Sequence, residues 1–309
     1  MRAYAIEQFG EPGSLREIPV PGTGPGDVLI RIHAAGVNPI DLKIRDGKKQ
    51  VAAAMPHVLG QDAAGVVVRA GSATPYKEGD EVYGAFWLAG TFAEYVKVTV
   101  PQANIARKPR SLDFSQAAAL PTPALAALAA MKAVAPQRGE TVLVVGATGG
   151  VGSYVVQLAA RQGAKVLATA RNDTRDYVRR LGAAEVFDHT VGDLVTSVMQ
   201  AHPEGIDAVV DMVSRPDALE RVSLVLRPGG RLATTVHSAN EAAFAKRGIR
   251  ATNVDVFGTS SGLDELNRLI DEQALEIPIE SRFALADTAA ALAAISSGHT
   301  RGKIILTMI

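Results

Sequence analysis

In TVLVVGATGGVGSYVVQLAAR, Thr141–Arg161, a run of β-branched and aliphatic residues meets a glycine-rich turn, and the apolar spacing of a helix follows. The turn reads Gly146-Ala147-Thr148-Gly149-Gly150-Val151-Gly152. Glycines let the backbone turn tightly and approach a ligand, and a helix N-terminus offers unpaired N–H groups and a positive dipole end. In a strand–turn–helix setting this is the pattern that holds a dinucleotide pyrophosphate, with Thr148, Gly149, Gly150 and Val151 as the contacts.

Toward the C-terminus the same rhythm repeats. Strand patterns at Lys165–Ala170, Glu185–His189, Asp207–Val213, Gly230–Val236 and Thr252–Phe257 alternate with helix patterns at Arg175–Leu181, Asp193–Gln200, Asp217–Leu226 and Asn240–Lys246. Such alternation predicts βαβ units in a doubly wound parallel sheet, a Rossmann domain of the α/β class. Toward the N-terminus the chain is β-rich instead. Short runs at Val28–Val37, Ala64–Gly71, Asp80–Phe86 and Thr91–Val98, broken by Gly, Pro and Asp, predict a small partial barrel. Helices are expected from near Asp113 and after Pro123. The closing run Lys303–Met308 is expected to return to the β domain. The division expected is 1–117 with 258–309 for a discontinuous β domain, and 118–257 for the nucleotide domain.

Composition narrows the function classes. The 309 residues are 47% hydrophobic, enough for sizeable cores. Lys+Arg and Asp+Glu both number 32, so no net charge draws the chain to nucleic acid or an anionic membrane. Cysteine is absent, which removes disulfides, thiolate nucleophiles and Cys-ligated metal. The stretch around Ala117–Ala135 is apolar, but Pro121, Pro123 and Lys132 interrupt it as a membrane span. The opening MRAYAIEQFGEPG has no apolar signal core, and a cytoplasmic location is expected.

The second strand of the nucleotide domain ends at Thr169-Ala170-Arg171. An NAD site expects a carboxylate there for the ribose 2′-hydroxyl. A guanidinium suits a 2′-phosphate instead, so Arg171, with Thr169 and Arg175, predicts NADP(H). The competing reading makes Arg171 a solvated charge and gives an NAD ribose to Asp173. Further along, His189, Val213 and Thr235 fall at strand ends that would face the same cofactor. Short-chain dehydrogenases also carry a glycine turn, but no tyrosine here has the lysine four residues on that their proton transfer needs.

The chain resembles the medium-chain dehydrogenase/reductase superfamily over nearly its whole length. Carrying the resemblance are Gly36-Val37-Asn38-Pro39-Ile40-Asp41 with Lys43, Gly60-Gln61-Asp62-Ala63-Ala64-Gly65-Val66-Val67, Gly79-Asp80-Glu81-Val82-Tyr83-Gly84, the glycine turn, Leu226-Arg227-Pro228-Gly229-Gly230 and Gly298-His299-Thr300-Arg301-Gly302-Lys303. Within it the chain is similar to the zinc-free quinone oxidoreductase and alkenal/enone reductase branch. That resemblance implies a GroES-like β-barrel catalytic domain and a homodimer. In the zinc alcohol dehydrogenases of the superfamily the Gly60-Gln61-Asp62 position reads Gly-His-Glu, and the His binds metal. Here Gln61 replaces it and the cysteines are missing, so no metal site is expected. Gln61 and Asp62 then either line the substrate pocket or hydrogen-bond backbone.

Without a Lewis acid, hydride transfer to a quinone or an α,β-unsaturated carbonyl compound is favoured over simple ketone reduction. Asn38 is expected to donate to the developing oxyanion and Lys43 to add positive charge, with Asp41, Tyr83 and Trp87 at the pocket. Relatives often carry a threonine after the Leu-Pro pair near the nicotinamide; alignment on Leu120-Pro121 puts Ala126 there, with Thr122 as the alternative. Two other readings stay open. One is a non-catalytic, crystallin-like or sensor NADPH-binding protein. The other is a serine hydrolase using Ser260 in Gly258-Thr259-Ser260-Ser261-Gly262, with Asp287 and His299 following in order.

Overall fold

The computed structural model describes residues 1–49, 51–255, 261–273 and 275–308. They fall into two compact units, one of residues 1–122 with the described parts of 261–273 and 277–308, the other of the described parts of 123–255 with 275–276. In chain order the elements are β1 (Arg2–Ile6), β2 (Ser14–Glu17), β3 (Asp27–Val37), α1 (Pro39–Arg45), β4 (His57–Val58), β5 (Asp62–Ala70), β6 (Glu81–Ala85), β7 (Tyr95–Thr99), β8 (Asn104–Arg107) and α2 (Phe114–Ala118). Next come α3 (Pro121–Val134), β9 (Thr141–Val145), α4 (Gly150–Arg161), β10 (Lys165–Thr169), α5 (Arg175–Arg180), β11 (Glu185–Phe187), α6 (Leu194–Ala201), β12 (Ile206–Asp211), α7 (Pro216–Val222), β13 (Leu226–Thr234), α8 (Glu241–Lys246) and β14 (Arg250–Asn253). The chain finishes with α9 (Ser261–Asp271), β15 (Ile279–Ala284), α10 (Thr288–Ser296) and β16 (Lys303–Thr307).

The first unit is organised by β3. One edge of this strand pairs antiparallel with β5 from Val28 to Gly36. Its other edge takes β7 along Asp27–Arg31 and β16 along Ala34–Val37. A strand long enough to serve three partners must bend, and its register with β5 shifts between Leu29 and Ile30 and again between Ile32 and Ala34. Where β3 and β5 press closest, Gly65 is required, because a Cβ there would lie 2.1 Å from the Arg31 carbonyl oxygen. The sheet order is β15-β16-β3-β5-β6-β8 with β7 on β3, and a smaller sheet runs β2-β1-β4. Ile6, Ile30, Ile32, Leu59, Phe86 and Phe92 fill the core between them. The closing strand thus rejoins the β domain as expected, and it brings β15 with it as a parallel neighbour.

The second unit is the doubly wound sheet, in the order β11-β10-β9-β12-β13-β14, all parallel. Covered on both faces, its central strands read as continuous apolar runs, and β12 is buried along its whole length. The core is built on Leu143, Leu167, Ile206, Val209, Leu219 and Leu232. Helix starts match their capping residues. Asp193 Oδ1 accepts from Thr196 N at 2.9 Å and Asn240 Oδ1 from Ala243 N at 3.1 Å. The ends of two strands differ from expectation: β13 begins at Leu226 rather than Gly230, and β14 covers Arg250–Asn253. Pairing with β12 draws Leu226 into the ladder opposite Ile206, a tertiary contact that local propensity does not register.

Candidate active site

In the first unit three strand ends assemble a buried polar cluster. Pro39 starts α1, where its missing N–H needs no partner, so Asn38 sits between β3 and the helix. Pairing sets Asp62 opposite Gly36 and Ile304 opposite Val37, which delivers Asp62 and Lys303 to the same place. Asn38, Asp41, Gln61, Asp62 and Lys303 are all buried there. Lys303 Nζ donates to the Val37 carbonyl and to Asn38 Oδ1, both at 2.7 Å, and lies 3.8 Å from Asp62 Oδ2. Asp62 accepts from Asn38 Nδ2 at 2.9 Å, from Thr122 N at 3.1 Å and from Thr122 Oγ1 at 2.6 Å. A carboxylate that only accepts and an ammonium that only donates describe an ion pair bridged by the Asn38 amide. Burial pushes Asp62 up and Lys303 down, and each charge opposes the shift of the other.

The side-chain contacts of Asn38 lie within this cluster. Its amide hydrogens go to Asp62 and to the Gly36 carbonyl at 3.4 Å, and its oxygen is taken by Lys303. Asn38 thus bridges Asp62 and Lys303 within the cluster. Lys43 lies on the exposed side of α1, whereas Asp41 and Ile44 form the buried side. It is not brought to the cluster, because one helical step turned it to solvent. Tyr83 is fully buried and donates to Asn267 Oδ1 at 2.8 Å, which makes it a core tie within the unit rather than a pocket wall. Trp87 is 39% exposed. Gln61 is buried beside Asp41, whose carboxyl its amide helps to hold down, and Thr91 is buried as well. Lys303 had no assigned site role from sequence, and Thr122, named only as an alternative threonine near the nicotinamide, is bonded to Asp62. The available signal was a lysine opening an otherwise apolar strand, which predicts a buried cation needing an anion.

Asp41 is the titrating member. Burial is the main cause that pushes its carboxyl up to about 7; the Asn38 N–H opposes this, Asp62 adds to it, and Lys303 and the nearby Gln61 amide oppose it. Asn38 N donates to Asp41 Oδ2 at 2.7 Å, while Oδ1 has no partner. An unfolded aspartate titrates near ~3.9. The folded state therefore holds the extra proton between about pH 4 and 7, and stability falls as pH rises through that window. Asp41→Asn keeps the acceptor for Asn38 and removes the titration. Its advantage over the wild type should be absent near pH 4 and grow to roughly 4 kcal/mol above pH 7. Urea midpoints across that range check it, and an advantage that does not grow with pH would place the titration elsewhere.

In the second unit the glycine turn forms a cradle at the C-terminal edge of the sheet. Strand order reverses at β9, between β10 and β12, which is where doubly wound sheets open a ligand crevice. Gly146 takes φ +87°, and Gly152 lets α4 pack on the turn, since a Cβ there would lie 2.1 Å from the Gly146 oxygen. Gly149 precedes the first turn of α4, and a Cβ on it would meet nothing closer than 3.7 Å, so the space before the helix is open. Helix-start N–H groups facing open space fit a pyrophosphate. Thr148, Gly150 and Val151 are half-buried around that opening.

Thr169 stands behind the cradle. It is buried, and its Oγ1 accepts from Gly146 N at 3.0 Å, so it braces the turn rather than facing a ligand. Arg171 lies two residues beyond the end of β10, with 42% of its side chain exposed, and pairs with Asp173 through Nη2 at 3.0 Å and Nε at 3.2 Å. Arg175, half-buried at the start of α5, has no ion-pair partner among the described residues. His189 and Val213 are exposed and Thr235 is half-buried beyond their strand ends. Asp211, unassigned from sequence, shapes this rim: its Oδ1 accepts from Val213 N at 2.8 Å and Ser214 N at 2.7 Å. Ser260 lies outside the described residues. Asp287 and His299 are both exposed and are not bonded to one another, so the hydrolase reading gains no support.

Residues 24–110 match the family model of the alcohol dehydrogenase GroES-like domain, and residues 181–306 match that of zinc-binding dehydrogenases. The chain is 35% identical to the quinone oxidoreductase of Homo sapiens over 239 residues, covering 75% of this chain and 72% of that one. It is 32% identical to the chloroplastic NADPH-dependent alkenal/one oxidoreductase of Arabidopsis thaliana, covering 99% of this chain and 79% of that one. The structure of the quinone oxidoreductase from Coxiella burnetii superposes with a TM-score of 0.92 at 31% identity, covering 100% of this chain and 99% of that one.

Proposed function

We propose, from the premise that the chain belongs to the medium-chain dehydrogenase/reductase superfamily in its quinone oxidoreductase branch, that it reduces quinones or α,β-unsaturated carbonyl compounds with NADPH and without a metal. Membership in that branch makes it an NAD(P)H oxidoreductase. The observation that carries the cofactor reading is the open glycine cradle with Arg171 just beyond the neighbouring strand. Bound there, the cofactor supplies a hydride. The α4 N-terminus takes its pyrophosphate, and Arg171 and Arg175 take the 2′-phosphate.

Zinc independence is supported by the donors themselves. The chain has no cysteine, Gln61 is a carboxamide, and three donors already engage Asp62. Among the described residues no group of three or more His, Cys, Asp or Glu is placed to hold a metal. The substrate classes are those in the names of the human and Arabidopsis relatives. A homodimer through β14, the last strand of the sheet among the described residues, fits the sheet order and would show as a dimer in sedimentation.

The test is steady-state oxidation of NADPH and NADH with quinones and short alkenals, before and after exhaustive chelation. Turnover should survive chelation; its loss would sink the metal-free reading. Tight NADPH binding with no turnover on any acceptor would favour the crystallin-like alternative. Cofactor choice is tested separately. Wild type should prefer NADPH by roughly 10- to 100-fold in kcat/KM, and Arg171→Ala should erase most of that while sparing NADH. A preference untouched in Arg171→Ala and in the Arg171→Ala/Arg175→Ala double variant would remove both arginines from the site.

A further inference from the structure

We infer that Asp173 sets the strength of cofactor discrimination by competing with the 2′-phosphate for the Arg171 guanidinium, an inference that rests on the NADPH reading above. The two side chains form a fork, with Arg171 Nη2 on Asp173 Oδ2 at 3.0 Å and Nε on Oδ1 at 3.2 Å. A phosphate binds an arginine through the same pair of parallel N–H groups. The face that recognises the 2′-phosphate is therefore already occupied by a carboxylate of this chain.

The backbone keeps that carboxylate in reach. Thr174 donates to the Arg171 carbonyl through both N, at 3.0 Å, and Oγ1, at 2.9 Å, closing a turn with Asp173 inside it. A second carboxylate stands by: Asp188, beyond β11, accepts from Asn172 N at 2.8 Å and from Thr190. Asp188 is fixed by those backbone bonds, so it contributes constant negative charge. Arg171 and Asp173 are 42% and 48% exposed at their side chains, and a pair that wet is weak enough to open. A 2′-phosphate with nearly two negative charges displaces a single carboxylate, but it must break the pair first and then sit beside the displaced charge. NADH carries no 2′-phosphate and meets no such barrier. The pair thus lowers NADPH preference and leaves NADH usable.

The test measures Kd by titration calorimetry for 2′,5′-ADP and 5′-AMP, adenosine fragments with and without the phosphate, on the full chain and its variants. Asp173→Asn should tighten 2′,5′-ADP by roughly 2- to 5-fold and shift 5′-AMP by less than about 1.5-fold. In an Arg171→Ala background the same change should have almost no effect, because the competition acts through the fork. If the Arg171→Ala/Arg175→Ala double variant leaves 2′,5′-ADP binding unchanged, the NADPH reading itself fails; if only the loss of Arg175 weakens it, the competition alone is overturned. If Arg171→Ala weakens it but Asp173→Asn does not tighten it, the competition alone is overturned. Equal tightening with and without Arg171 would overturn it too, as diffuse charge rather than competition.

Discussion

Lys303→Met should destabilise the chain by roughly 3–5 kcal/mol, the range seen when one partner of a buried ion pair is removed. Methionine fills most of the lysine volume, so little of the loss is packing. What remains is Asp62, buried, with its cation gone and Asn38 Oδ1 and the Val37 carbonyl left without their donor. Adding Asp62→Asn should recover part of the loss, since the charge disappears while an amide oxygen still accepts from Thr122. Urea unfolding of both variants at one pH decides it. A single variant within about 1 kcal/mol of the wild type would mean the cluster is neutral or solvated and the ion-pair reading is wrong.

The cofactor cradle should be equally intolerant at Gly152. A Cβ there would sit 2.1 Å from the Gly146 oxygen and 2.7 Å from the Ala147 Cα, and neither backbone atom can swing away as a side chain would. Gly152→Ala must push α4 off the turn and carry its N–H groups away from the pyrophosphate. A misplacement near 1 Å can cost on the order of 100-fold in rate, so kcat/KM with NADPH should fall by about that factor, with weakened dinucleotide binding, while far-UV circular dichroism stays close to wild type. A kcat/KM within about 3-fold of the wild type would show that α4 does not need this close approach.

These two sites were unequally visible in the linear chain. The glycine turn, its strand and its helix are contiguous, and each piece carries its own local signal: apolar run, positive-φ glycine, helix start. The alternation of six strands with helices is local in the same way, and the parallel sheet follows from it. Arg171 just beyond the end of β10 was legible because a strand end faces the crevice whatever packs behind it. The return of Lys303–Thr307 to the β domain was legible as a strand without a partner nearby.

The polar cluster was not legible, for a physical reason. A side chain's free donors depend on which atoms meet it, and Asn38, Asp62, Thr122 and Lys303 are brought together from separate strands and a helix start. Motif spacing named Asn38 and Asp62 but could not show that they spend their hydrogen bonds on each other, nor that Lys43 points to solvent while distant Lys303 takes the buried place. The same holds for Thr169, which braces Gly146 from behind, and for Asp173, whose grip on Arg171 depends on the turn that Thr174 closes. Patterns of apolar residues and glycines settle where the backbone goes, because burial and φ are properties of each residue and its neighbours. Which polar atom is left free for chemistry is settled by long-range pairing register, and that exists only once the sheets have formed.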